Sequence, residues 1–117
     1  MWLNRLSNFL LQRGYTNNDD CPCVFIKKST DGFCIISIYV DDLSIIGNPK
    51  DIEEERNHLT TEFEMKDLGK TKYCLDLQLE HLPSGILVHQ SVYIQKILEK
   101  FRMDKSYPSK TLMVVVL

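Results

Sequence analysis

Two adjacent carboxylates, Asp41 and Asp42, stand between two apolar runs. Phe33-Cys34-Ile35-Ile36-Ser37-Ile38-Tyr39-Val40 precedes them and Leu43-Ser44-Ile45-Ile46-Gly47 follows. Burying such a pair is costly, because like charges repel and each loses its hydration. The exposed tip of a β-hairpin accommodates both, and a divalent cation there can balance them. Carboxylates so placed hold the metal ions of two-metal phosphoryl transfer. A plain hairpin turn is the competing reading, since Asp is favoured in turns on its own account.

The elements around the pair set its context. At 117 residues the chain is read as one domain at most, with a modest core. A hydrophobic content of 44% with 26% charged residues is that of a globular rather than a disordered protein. Trp2, Leu3, Leu6, Phe9, Leu10 and Arg13 fit a short amphipathic helix ended by Gly14. Cys23 to Lys27 reads as a strand, Ser29-Thr30-Asp31-Gly32 as a hairpin turn, and residues 33–40 as a central strand covered on both faces. After Asn48-Pro49 an acidic helix, Asp51 to Phe63, is expected to bury Ile52, Leu59 and Phe63. Tyr73 to Glu80 reads as one strand, Leu82-Pro83-Ser84-Gly85 as a turn, and Ile86 to His89 as its return. A last helix, Ser91 to Phe101, is expected to bury Val92, Ile94 or Ile97, Leu98 and Phe101. The fold class is therefore α+β, an antiparallel sheet with flanking helices, without a repeat or a linker.

Charge and cysteines narrow the function classes. The net charge of −2 does not favour nucleic-acid binding, although Lys96, Lys100, Arg102, Lys105 and Lys110 form a basic segment that could touch phosphates. A solvated helix face explains the same cluster. Asn4, Arg5 and Asn8 interrupt the opening run, which lacks the apolar centre of a signal peptide. The closing run Leu112 to Leu117 is far shorter than the roughly 20 residues of a membrane span. Cys21, Cys23, Cys34 and Cys74 form no disulfide framework and fit a reducing, intracellular compartment. His81 and His89 complete no metal motif. Both ends of the chain, an uncapped first helix and a tail of valines, are expected to be cuts through a larger protein.

Four strings in order carry a family resemblance: Cys23-Val24-Phe25, Ile38-Tyr39-Val40-Asp41-Asp42-Leu43, Phe63-Glu64-Met65-Lys66-Asp67-Leu68-Gly69, and Val88-His89-Gln90-Ser91 with Tyr93-Ile94. Together they resemble the reverse transcriptase of copia-type LTR retrotransposons, an RNA-directed DNA polymerase cut from a Pol polyprotein. The resemblance covers almost the whole chain and weakens after Met103. It implies a polymerase palm fragment, residues 1–117 being a partial reverse transcriptase domain without the fingers and the first catalytic strand. Asp41 would be a direct ligand of the catalytic Mg²⁺, with Mn²⁺ as a substitute, and Asp42 would support it. The reaction implied is attack of a primer 3′-hydroxyl on the α-phosphate of a deoxynucleotide, on an RNA or DNA template. Tyr39 and Val40 would lie near the primer terminus, with core packing equally open for Val40. Tyr73 to Gln90 resembles the hairpin that helps hold the primer, so Tyr73 and His89 are candidates there, or else ordinary strand residues.

The chain departs from the family in two respects. A third carboxylate, on a strand upstream of the hairpin, is expected to lie before the first residue, in a missing upstream Pol segment. Asp19, Asp20 and Asp31 sit where turn chemistry alone would place them. The proline expected near position 112 is not there. The chain alone is therefore expected to be inactive unless the site is completed. The alternative class is a non-catalytic transposon-derived remnant, or a module binding nucleic acid or protein weakly. Either way, apolar surface that once met neighbouring segments should be exposed and limit solubility. Gly69-Lys70-Thr71 matches the end of a phosphate-binding loop, but Glu64 stands where that loop needs glycine and a strand pattern follows.

Overall fold

The structure, a computed structural model, describes residues 1–110. In chain order its elements are α1 (Trp2–Gln12), β1 (Thr16–Asn17), β2 (Val24–Ser29), β3 (Gly32–Tyr39), β4 (Asp42–Gly47), α2 (Pro49–Glu62), β5 (Tyr73–Cys74), β6 (Leu77–Leu82), β7 (Gly85–His89) and α3 (Ser91–Lys100). Antiparallel sheets with helices make it an α+β chain, as the sequence pattern implies. The elements group into two compact units, Met1–Gly69 and a second that begins at Lys70. The apolar run Leu112 to Leu117 and the expected proline position lie outside the described residues. No described helix is long and apolar enough to cross a membrane.

In the first unit, β1 to β4 form an antiparallel meander in sequence order. Alternation along β3 sends Cys34, Ile36 and Ile38 to one face, where they meet Phe25 of β2 and Leu6, Leu10 and Leu59 of the helices. Cross-strand register fixes that face, with Ile36 opposite both Phe25 and Ile45, and Ile38 opposite Leu43. The other face of β3 is uncovered: Phe33 and Tyr39 are exposed and Ile35 is half-buried. The expectation of a strand covered on both faces is thus corrected. Leu6 and Leu10 of α1 and Leu59 of α2 all join the cluster on one side, and no other element of this unit covers the opposite face.

Local chemistry sets the helix ends. Asn48 caps α2 by accepting a hydrogen bond from the Asp51 amide at 2.9 Å, with Pro49 entering the first turn. The Asp51 carboxylate in turn accepts from Ser29 Oγ at 2.8 Å, tying the cap to the β2–β3 hairpin. At the end of α1 the Gly14 amide donates to Leu11 and the Tyr15 amide to Leu10, with Gly14 at φ +87°. This paired closure turns Tyr15 back onto Leu10, and both are buried. The segment that follows Gly14 therefore begins with a core residue, Tyr15, and the short edge strand β1.

The second unit is a three-stranded antiparallel sheet, β5-β6-β7, followed by α3. Two expectations fail here. The strand read from Tyr73 to Glu80 is a hairpin, because Leu75 and Asp76 adopt φ +50° and +63° and reverse the chain between Cys74 and Leu77. The helix forms over nearly the expected span but buries none of Val92, Ile94, Ile97 or Phe101. Leu98 alone on that helix is half-buried. All four cysteines are free thiols, Cys34 buried and Cys21, Cys23 and Cys74 exposed.

Candidate metal centre at a hairpin tip

Asp41 and Asp42 lie at the reversal between β3 and β4. Tyr39 pairs with Asp42, leaving Val40 and Asp41 as the two residues of the loop. The turn puts Val40 at φ +53°, a left-handed conformation that a β-branched side chain adopts only at a cost in strain. Strand register carries Asp42 and Tyr39 onto the uncovered face of the sheet, the face opposite Ile38 and Leu43. Val40 is 73% exposed and Tyr39 62%, so core packing does not account for either. Both aspartates are exposed, and among the described residues neither carboxylate has a hydrogen bond or an ion pair. The hairpin is anchored in the core at its base, where Ile36 and Ile38 of β3 are buried, and exposed at its tip.

Two hard, unpartnered carboxylate groups suit a divalent cation with oxygen preference, whose remaining positions water and phosphate can fill. Among the described residues no third His, Cys, Asp or Glu clusters with Asp41 and Asp42. The one such cluster is Glu54, Glu55 and His58 on α2, whose ligating atoms lie within 4.8 Å of one another. Its charge is already met. Arg13 and Lys27 contact Glu55 at 3.3 Å and 3.2 Å, and Glu55 is 2% exposed. Burial alone would push the Glu55 carboxyl up, but hydrogen bonds and charge from Arg13 and Lys27 outweigh it and hold the group below the usual carboxylate range.

That buried carboxylate escapes the sequence pattern, which has the acidic helix bury Ile52, Leu59 and Phe63 and no charged residue. No periodic signal marks Glu55, since its partners Arg13 and Lys27 are distant in the chain. Beside it the Tyr15 hydroxyl is buried with no hydrogen-bond partner of good geometry. Burial, then the neighbouring Cys34 and Glu55, push its pKa far up. Burial likewise raises the Cys34 thiol.

The other two candidates fall in the second unit. Tyr73 pairs with Gln78 and Gln78 with His89, so the three side chains form one row across β5, β6 and β7. His89 is held from both ring nitrogens, Nε2 against Glu80 Oε1 and Nδ1 against Ser91 Oγ, each at 2.9 Å. Gln78 Oε1 accepts from the Val92 amide at 2.8 Å and so caps the first turn of α3. Tyr73 and His89 are thus neighbours on one sheet face, with His89 fixed and Tyr73 63% exposed.

Comparison with known proteins places this sequence in a family. The model of the reverse transcriptase (RNA-dependent DNA polymerase) family matches residues 1–115. The chain is 32% identical over 114 residues to the retrovirus-related Pol polyprotein from transposon TNT 1-94 of Nicotiana tabacum, covering 94% of this chain and 9% of that protein. It is 28% and 25% identical over 111 residues to the Pol polyproteins from transposons RE1 and RE2 of Arabidopsis thaliana, each match covering 94% of this chain and 8% of the relative. The chain thus spans less than a tenth of the length of these relatives. No solved structure matches it. A family match over residues 1–115, together with these transposon Pol polyproteins among the relatives, shows that the chain belongs to the reverse transcriptase family, in its copia-type retrotransposon branch.

Proposed function

We propose that this chain is the metal-binding palm segment of an RNA-directed DNA polymerase, with Asp41 and Asp42 as the ligands it contributes. The observation that carries this reading is a pair of exposed carboxylates without partners, at the tip of a hairpin anchored in the core, within the family match. The pair would hold Mg²⁺ or Mn²⁺, which when bound supplies charge to a primer 3′-hydroxyl and to the phosphates of a deoxynucleotide. The protein's own part is positional. The β3–β4 ladder fixes both carboxylates at one end of the sheet, and Tyr39 offers an exposed ring on the same face as Asp42, beside which a primer end can lie. Val40 serves by holding the tight turn that projects Asp41. Tyr73 and His89, on one face of the second sheet, are the proposed contacts to the primer strand.

A carboxylate pair alone does not make a two-metal site. β4 is the edge strand of its sheet among the described residues, and Asp42 is its first residue. A strand from elsewhere in a Pol polypeptide could pair along that edge and bring a third carboxylate to Asp41 and Asp42. The absence of a third ligand among the described residues favours the second reading, a remnant without activity of its own.

Two experiments separate these. In the first, Mn²⁺ is added to the ¹⁵N-labelled chain and to its Asp41→Asn variant. Paramagnetic broadening centred on residues 40–43, and lost in the variant, is expected; broadening centred on Glu54 and His58, or none, would refute the metal pair. In the second, primer extension on an RNA template with Mg²⁺ is run with the chain alone and with an upstream Pol segment added. Extension that needs the added segment and is lost in Asp41→Asn is the expected result. Metal binding with no extension under either condition supports the remnant.

A further inference from the structure

Arg13 occupies an unusual position at the end of α1. Its Nε lies 3.3 Å from Glu55 Oε2 and its Nη2 3.3 Å from Glu55 Oε1. Nη2 is also 3.9 Å from Glu54 Oε1 and is hydrogen-bonded to His58 Nδ1. One guanidinium therefore touches all three members of the α2 cluster. A guanidinium has donors only, so His58 Nδ1 must accept, and the imidazole proton must sit on Nε2. The contact exists only while His58 is neutral.

Protonation at Nδ1 sets two donors and two like charges against each other. The ring also lies close to the carboxylates of Glu54 and Glu55 on the same helix, one oxygen of each being within 4.8 Å of an imidazole nitrogen. We propose that His58 is a proton-driven switch at the α1–α2 junction: neutral, it holds Arg13 against α2; protonated, it takes Arg13's place on Glu54 and Glu55 and releases the end of α1. Imidazoles are the side chains that ordinarily change charge between about pH 5 and 8.

The other charges around the cluster define what moves. Lys27 of β2 contacts Glu55 at 3.2 Å and keeps that carboxylate paired in either state. Asp51, one turn before Glu55, is engaged with Ser29 and Asn48. Glu62, one turn after His58, is paired with Arg5 at 3.0 Å and keeps the start of α1 attached. Phe9 packs edge-on against Phe63, with ring centres 5.4 Å apart, on the same junction. The switch therefore frees the last turn of α1, where the Gly14 and Tyr15 amides close the helix, and leaves the sheet intact.

The test is amide hydrogen exchange on the full chain, corrected for intrinsic rates, between about pH 7.5 and about pH 5.5. Protection of the Gly14 and Tyr15 amides is expected to fall about tenfold over that range. The midpoint should coincide with the titration of the His58 ring followed by NMR. The His58→Asn variant, whose side-chain oxygen accepts a hydrogen bond without titrating, should keep its protection at both ends. Constant protection in the wild type, or an equal fall in His58→Asn, would overturn the proposal. Should that variant not fold, the two wild-type midpoints decide alone, and a fall that tracks His81 or His89 instead refutes it.

Discussion

Residues 1–69 close two helices and four strands around eight buried apolar side chains, whereas residues 70–110 form three strands and a helix and bury none. Apolar content does not separate them, since the second unit carries Leu77, Leu79, Ile86, Leu87, Val88, Ile94, Ile97 and Leu98. Layering does. In the first unit the apolar stripes of α1 and α2 meet one face of a sheet, and burial stabilises both partners. In the second unit no described layer closes over the apolar side chains. Charge divides along the same line, with twelve acidic and seven basic residues in positions 1–69 but four and seven in positions 70–117. An amphipathic pattern therefore specifies that an element wants a cover, and not which element supplies it.

The sharpest way to break this contrast is one substitution made in both units. Ile36→Ala, at a fully buried position, should cost about 3 kcal/mol in urea unfolding. Ile97→Ala should change stability by less than about 0.5 kcal/mol. Equal losses would mean that the second unit has a core after all. The next largest effect is on Glu55. Glu55→Gln should cost about 2 kcal/mol at pH 7, because Arg13 and Lys27 lose a charged partner. The sign with pH follows from a folded carboxyl held below its unfolded value. Its stabilisation is complete above about pH 4.3 and is lost as pH falls through the lower folded value. Urea midpoints measured from neutral to acid pH should show that loss in the wild type and a flatter profile in Glu55→Gln.

The smallest effects sharpen the comparison through turns. α1 and α3 end in the same paired closure, the Arg102 amide donating to Glu99 and the Met103 amide to Leu98. Gly14 fills the left-handed position in α1, but Arg102 fills it in α3 at φ +56°. Arg102→Gly should gain about 1 kcal/mol in local helix stability, read as slower amide exchange over Lys96 to Lys100. Gly14→Ala should lose about as much in the first unit.

Much of the first unit was legible in the sequence because its signals are local. The apolar runs between Val24 and Gly47, the turn from Ser29 to Gly32, the reversal at the aspartate pair, and Gly14 after an amphipathic run each name their own element. The position of Asp41 and Asp42 at an exposed tip was legible for the same reason. What was not legible depends on distant partners or on disguised turns. Glu55 reads as one more surface acid until Arg13 and Lys27 arrive beside it. Leu75-Asp76 carries none of the Asn-Gly chemistry that announces a two-residue hairpin, so one strand was expected where two are paired. The aromatic and aliphatic stripe of α3 was readable, but the absence of its cover was not.

Cys34 gives the contrast an internal clock. It sits on β3 at 2% exposure beside Tyr15, while Cys21, Cys23 and Cys74 stand in solvent. A thiol-specific reagent will label three sites at once, and the fourth only when the sheet of the first unit opens. The lag between the two phases measures how often that unit breathes, without any probe being introduced and without the second unit contributing to the slow phase.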